Sequence, residues 1–188
     1  MRVLAIPGSL RTGSLNGRLL RLAAERAPAG MEVDGWEGLR AVPPYDEDDD
    51  VEPAPFAVRA LRDAIAGADA LLFATPEYNS SIPGVLKNAV DWASRPRAET
   101  VLAGKPVAVI GATTGSFGAV WAQDELRKVL GSAGARVLDE GLAVPRAHEA
   151  FDEHGRPLRP ELAEGLDGVL EALASEVARG RTPAAVAA

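Results

Sequence analysis

The 188-residue sequence contains no cysteine. A disulfide framework, a thiolate nucleophile and a thiol redox centre are therefore excluded, and any redox chemistry has to use a bound cofactor. Histidine is scarce. His148 and His154 are the only two; they stand in a polar late segment without metal-ligand spacing and are expected at the surface. A Ser/His/Asp triad is thus unsupported, and no acid–base or nucleophilic residue is nominated. Positive charge is in deficit, 20 basic against 27 acidic residues for a net charge of −7, which argues against nucleic acid as the main partner. No apolar run approaches membrane-spanning length. "MRVLAIPGSL" is too brief for a secretory signal and reads as a first strand, so a cytoplasmic location and no membrane insertion are expected.

What is present is a soluble globular composition, 47% hydrophobic and 25% charged. No internal repeat stands out. Strand-like runs, Arg2–Ile6, Glu32–Trp36, Ala70–Thr75, Val107–Ala112 and Arg136–Val144, alternate with helical periods. "ALLFAT" and "VAVIGA" are almost unbroken apolar runs, as parallel strands covered on both faces require. Leu15, Leu19, Leu22 and Ala23 share one helix face, and 55–66 supplies a second helix. Val85, Ala89, Trp92 and Ala93 line the third, Leu126, Val129, Leu130 and Ala133 the fourth, and Leu162, Leu166, Val169, Leu173 and Val177 the last. Five strands alternating with five helices predict an α/β, doubly wound parallel sheet joined by right-handed crossovers. One domain is expected over residues 1–179, with 180–188 as a frayed tail. The acidic, proline-rich "PPYDEDDDVEPAP", including Glu47–Asp50, reads as a solvated connection; a carboxylate metal site there is a weaker alternative.

The first strand runs into "PGSLRTGSLNGRLL". Gly8 and Gly13 have the G-x-x-x-x-G spacing of a P-loop, but Ser14 and Leu15 stand where a nucleoside triphosphatase needs Lys followed by Ser or Thr. The dinucleotide fingerprint G-x-G-x-x-G fails as well, because position 10 is Leu. A phosphate remains favoured by other means. Ser9, Thr12, Ser14 and Asn16 offer short donors, Gly13 allows close backbone approach, and Arg11 adds charge. The helix starting near Leu15 presents free N–H groups and the positive end of its dipole. The plain alternative is a serine-capped strand–helix turn with a solvated Arg11.

The third strand ends in "TPEYNSSIPGVLKNAVDW". Ligands of doubly wound sheets sit outside the carboxyl ends of the strands where strand order reverses; in the flavodoxin-like order 2-1-3-4-5 that is between the first and third strands. A phosphate on the first loop would put the rest of a nucleotide over Pro76–Asn79. Backbone groups of Glu77, Tyr78 and Asn79 can meet the polar edge of a flat ring, and side chains can shield one face. Each also has an ordinary alternative: Tyr78 as packing, Glu77 as a solvated carboxylate, Asn79 bonding its own turn. Lys87, Asn88 and Asp91 fit orienting or capping roles, and Trp92 fits the core. "ATTGSFGAVW" ends the fourth strand, a Gly-rich turn able to close the ring's other side.

These segments resemble the NADPH-dependent FMN reductase family, particularly its bacterial quinone and chromate reductases. "GSLRTGSLN" looks like the family's phosphate loop, "TPEYNSSIPGVLKNAVDW" is similar to its flavin-ring segment almost residue for residue, and "TTGSFG" with "LRKVL" matches its loop after the fourth strand and the following helix. The likeness runs from Met1 to about Ala143. It implies a flavodoxin-like fold, bound FMN, and ping-pong transfer of hydride from NAD(P)H through FMN to a quinone or similar acceptor. By position, Ser9, Arg11, Ser14, Leu15 and Asn16 would hold the phosphate. Pro76, Glu77, Tyr78 and Asn79 would hold the ring, with Thr114, Gly115 and Ser116 nearby. Ala119 departs from the pattern, since a second Gly is common after Gly118. A homodimer or homotetramer with the flavin near a subunit contact is also implied. Rival readings are a flavodoxin-like electron carrier, a reductase of azo compounds, chromate or free flavin, and a non-redox transferase of similar fold.

Overall fold

The computed structural model describes residues 1–181. Its elements alternate as β1 (Arg2–Pro7), α1 (Leu15–Glu25), β2 (Glu32–Gly35), α2 (Phe56–Ala66), β3 (Ala70–Thr75), α3 (Gly84–Ala93), β4 (Pro106–Ala112), α4 (Val120–Ser132), β5 (Arg136–Val144) and α5 (Pro160–Arg181). The strands form one parallel sheet in the order β2-β1-β3-β4-β5. Strand order therefore reverses between β1 and β3, which places the carboxyl ends of β1, β3 and β4 side by side. α5 continues through Arg181, two residues past the boundary expected at 179; the rest of the expected tail lies outside the described residues.

The apolar runs have a period of two hidden within them. Val3 and Ala5, Ala70, Leu72 and Ala74, and Ala108, Ile110 and Ala112 point to one side, where Leu19, Leu22 and Ala23 of α1 meet Leu166, Val169 and Leu173 of α5. Leu4 and Ile6, Leu71 and Phe73, and Val107 and Val109 point to the other side, against α2, α3 and α4. Each fully buried Leu or Phe contributes roughly 1.5–3 kcal/mol, so two separate cores clamp the three central strands. The clamped sheet is the rigid base from which the β1, β3 and β4 loops project.

Two features serve the same base. Trp92 is fully buried beside α2, and its indole Nε1 donates to the Pro43 carbonyl at 2.9 Å. Asn88 donates to the same carbonyl at 2.8 Å and accepts from the Tyr45 amide at 2.7 Å. Asp50 pairs with the largely buried Arg62 at 2.8 Å. These contacts moor both ends of the acidic loop against α2 and α3, and no cluster of potential metal ligands occurs among the described residues. β5 carries an irregularity between the pairs Val107–Val137 and Val109–Gly141. There Arg127 of α4 donates to the Val109 carbonyl at 3.1 Å. Gly141 suits that point, because a Cβ would stand 2.8 Å from the backbone Val109 carbonyl oxygen as well as displacing the Arg127 guanidinium.

Candidate functional site

The first loop, residues 8–14, leaves β1 through Gly8, whose amide donates to the Ala74 carbonyl at 2.8 Å. A Cβ on Gly8 would stand 3.0 Å from Leu86, 3.1 Å from Pro76 and 3.2 Å from the Ala74 carbonyl oxygen, so a side chain there would press the first loop away from the third. Ser14 then caps α1, its Oγ accepting from the Gly17 amide at 3.2 Å. The amides of Thr12, Gly13, Leu15 and Asn16 have no acceptor among the described residues. They converge at the positive end of α1, an arrangement suited to an anion. Arg11 is exposed beside them, and Arg40, from the turn after β2, donates to the Leu10 carbonyl at 3.0 Å. Arg40 is a second cation at this loop that no sequence spacing pointed to.

Asn16 has a different task from the one its donor chemistry suggested. Its side chain is buried, donating to the Ala112 carbonyl and accepting from the Ala112 amide, both at 2.9 Å. Only its backbone amide is left free at the rim. The side-chain amide instead ties the start of α1 to the end of β4.

The third loop is a tight turn. Tyr78 and Ser81 exchange both backbone hydrogen bonds, at 3.0 and 3.1 Å, around Asn79 and Ser80, whose φ values are 52° and 60°. Two consecutive left-handed residues between paired neighbours form a type I′ turn. The Tyr78 backbone is thereby occupied, whereas the amides of Glu77, Asn79 and Ser80 have no acceptor among the described residues. The Tyr78 side chain projects outward, 53% exposed. Thr75 and Pro76 are buried below it, the Thr75 hydroxyl donating to the Pro76 carbonyl at 2.8 Å.

The fourth loop follows β4. Thr114, Gly115 and Ser116 are exposed; the Gly115 amide donates to the Thr113 hydroxyl oxygen, and its carbonyl accepts from Arg146. Phe117 and Trp121 are also exposed, their ring centroids 4.9 Å apart. Gly118 and Ala119 both take left-handed φ, 63° and 61°. Gln123, buried one turn ahead of Leu126 and two ahead of Leu130, donates to the Gly118 carbonyl at 2.9 Å. A polar residue on an otherwise apolar helix face was the available sequence signal for it. The Glu77 carboxylate reaches across from the third loop and accepts from the Ala122 amide at 3.3 Å.

The three loops are thus joined pairwise: first to third at Gly8, first to fourth through Asn16, third to fourth through Glu77. All the candidate residues, Ser9 through Asn16, Pro76 through Asn79 and Thr114 through Ser116, lie on this one rim. Lys87 and Asp91 are paired along α3 at 2.7 Å, and His148 and His154 are exposed, as expected for surface residues. A concavity of about 440 Å³ between α3 and α4 contains Lys87, Arg95, Arg97 and Lys128. It lies off the rim. The candidate site presents unused backbone donors along the rim.

A doubly wound sheet of this order, with a helix-start anion cradle at the reversal point and a shaped turn beside it, defines a flavodoxin-like protein. The sequence profile of the NADPH-dependent FMN reductase family matches residues 1–149, and the chain belongs to that family. It is 43% identical over 182 residues to an NAD(P)H-dependent FMN reductase of Pseudomonas aeruginosa, covering 96% of this chain and 97% of that one. It is 41% identical over 141 residues to a quinone reductase of Escherichia coli K12, covering 74% of each chain. Among solved structures it resembles FerB, a flavoenzyme NAD(P)H:(acceptor) oxidoreductase from Paracoccus denitrificans. The TM-score is 0.84 at 34% identity, over 95% of this chain and 97% of that one.

Proposed function

We propose that this chain is an FMN-dependent NAD(P)H oxidoreductase whose acceptor is a quinone or a similar flat electron acceptor. The observation that carries the reading is the pairwise joining of three loops at the β1/β3 reversal point, with unused amides facing outward. The residues present fit FMN. The free amides at the start of α1, with Arg11, match a phosphate, and Gly8 leaves room for loop one against loop three. The amides of Glu77 and Asn79 match the polar edge of a ring system. When bound, FMN supplies the two-electron redox chemistry, taking hydride from NAD(P)H and passing reducing equivalents to the acceptor in separate half-reactions.

The chain's own part is positional. Ser9, Arg11, Ser14, Leu15 and Asn16 hold the phosphate end, with Asn16 contributing its backbone amide only. Pro76, Glu77, Tyr78 and Asn79 support the ring, with Thr114, Gly115 and Ser116 along its other side. Tyr78 offers an exposed aromatic face to whatever stacks on the rim. No side chain is asked to transfer a proton.

We place the protein in the cytoplasm, where NAD(P)H is supplied; among the described residues no helix is long and apolar enough to cross a membrane. A homodimer or homotetramer belongs to the same reading. Tyr78, Val85, Phe117 and Trp121 are exposed on or beside the rim, and a second copy would cover them.

The test is a visible spectrum of the purified protein followed by anaerobic NADPH. A yellow preparation that bleaches, then recolours with a quinone while NADPH is consumed, is the expected result. A colourless chain that takes up no FMN would overturn the proposal. FMN binding without NAD(P)H turnover would favour the electron carrier.

A further inference from the structure

The start of α4 lacks a cap of its own. Its N-cap position is Ala119, which offers only a methyl group and sits at φ 61°. An N-cap side chain ordinarily accepts from the amide two or three residues into the helix. Here the third amide, that of Ala122, is taken by a carboxylate 45 residues away: Glu77 Oε2, at 3.3 Å. A negative charge at this end also meets the positive pole of the helix dipole.

We infer that Glu77 is a positioning residue, capping α4 from the ring-binding turn and thereby setting the distance between the third and fourth loops. The inference rests on the FMN reading above for its functional consequence. It divides the residue in two: the backbone amide of Glu77 is free for a ligand, while the side chain serves the protein. What the cap holds can be traced in the chain. Trp121 immediately precedes Ala122 and packs against Phe117 with the two rings tilted 59° to each other, and Gln123 immediately follows and bonds the Gly118 carbonyl. Anchoring Ala122 therefore anchors both aromatic rings and the left-handed Gly118–Ala119 pair. Without the cap, the fourth loop keeps its tie through Gln123 but loses its reference to the third loop.

Two variants of the full-length chain separate this role from direct contact with flavin. Glu77→Ala removes the acceptor; Glu77→Gln keeps a carbonyl oxygen that can accept from Ala122. Hydrogen exchange is followed on the chain stripped of FMN, then after reloading. In Glu77→Ala, amides 120–123 should exchange about tenfold faster than wild type even without FMN, with residues 8–14 unchanged, and Glu77→Gln should restore most of the protection. FMN affinity should follow the same order, weakened several-fold in Glu77→Ala and near wild type in Glu77→Gln. Unchanged exchange at 120–123 in stripped Glu77→Ala would overturn the inference, as would equal loss of FMN affinity in both variants. If the wild-type chain binds no FMN, the functional reading fails separately, and the exchange experiment still decides the cap.

Discussion

The first loop and the third and fourth loops solve opposite problems on the same rim. Residues 8–14 make few internal bonds and leave a row of amides pointing at solvent beside Arg11. Residues 76–83 and 113–119 bond to themselves and to each other, through the Tyr78–Ser81 pair, the Thr113–Gly115 contact, Gln123 and Glu77. An anion needs unused donors and tolerates a simple cradle. A flat ring needs a slot of fixed width, which only internally braced loops can maintain. The contrast teaches where changes should appear. Those in the first loop should alter binding, and those in the braced loops should alter stability as well.

Gly118→Ala tests the braced side most severely. The new Cβ would lie 2.8 Å from backbone atoms of Ala143 and Val144, at a φ of 63°. Left-handed strain and overpacking together should cost about 2–4 kcal/mol. For a chain of this size the melting temperature should fall by roughly 5–15 °C, and an unchanged Tm by calorimetry would show that the fourth loop is not braced. Arg11→Ala tests the open side. Loss of charge-assisted hydrogen bonds worth about 1.5–3 kcal/mol should raise the FMN dissociation constant roughly 10- to 100-fold, while the Tm without FMN stays put. Unchanged FMN affinity would remove Arg11 from the site; a large drop in Tm would erase the distinction between the loops.

Tyr78→Ala sits between the two cases, because its backbone is braced while its ring is exposed. Turnover or acceptor range should shift by roughly two- to fivefold with little change in Tm, and wild-type kinetics would reduce Tyr78 to packing. The smallest effect belongs to a control away from the rim. The Arg26 side chain hydrogen-bonds Asp167, with Nε 2.7 Å from Oδ1, and holds that carboxyl below its usual range against the opposing effect of burial. A depressed carboxyl contributes stability above its unfolded pKa of about 3.9 and loses it as pH falls through the lower folded value. Asp167→Asn should therefore be less stable than wild type at pH 7, and the Tm gap should close below about pH 4. A gap independent of pH would mean the pair acts through packing alone.

The sheet is legible in the sequence. β3 and β5 begin and end at the expected residues, and the other strands agree to within a residue; for β3 and β4 this is because fully buried parallel strands must be apolar on both faces, and Gly- and Pro-bearing turns mark the strand ends. The location of the candidate site followed from topology, since reversal of strand order puts the β1 and β3 loops together. The family likeness of "TPEYNSSIPGVLKNAVDW" added the identity of the ligand. Side-chain partnerships were less accessible. Asn16 was read as a donor near phosphate because its type and position suit that role, yet it bonds Ala112, 96 residues away. Glu77 and Arg40 were hidden for the same reason.

Periodicity, turn residues and one long motif are local properties of the chain, and they suffice for the order of elements, the candidate rim and the class of chemistry. Which polar groups remain free on that rim is a competition among all acceptors within about 3 Å, many of them distant in sequence. Folding alone brings those competitors together, so it was left to the packed molecule to divide the candidates into those whose polar groups stay free and those that brace the loops.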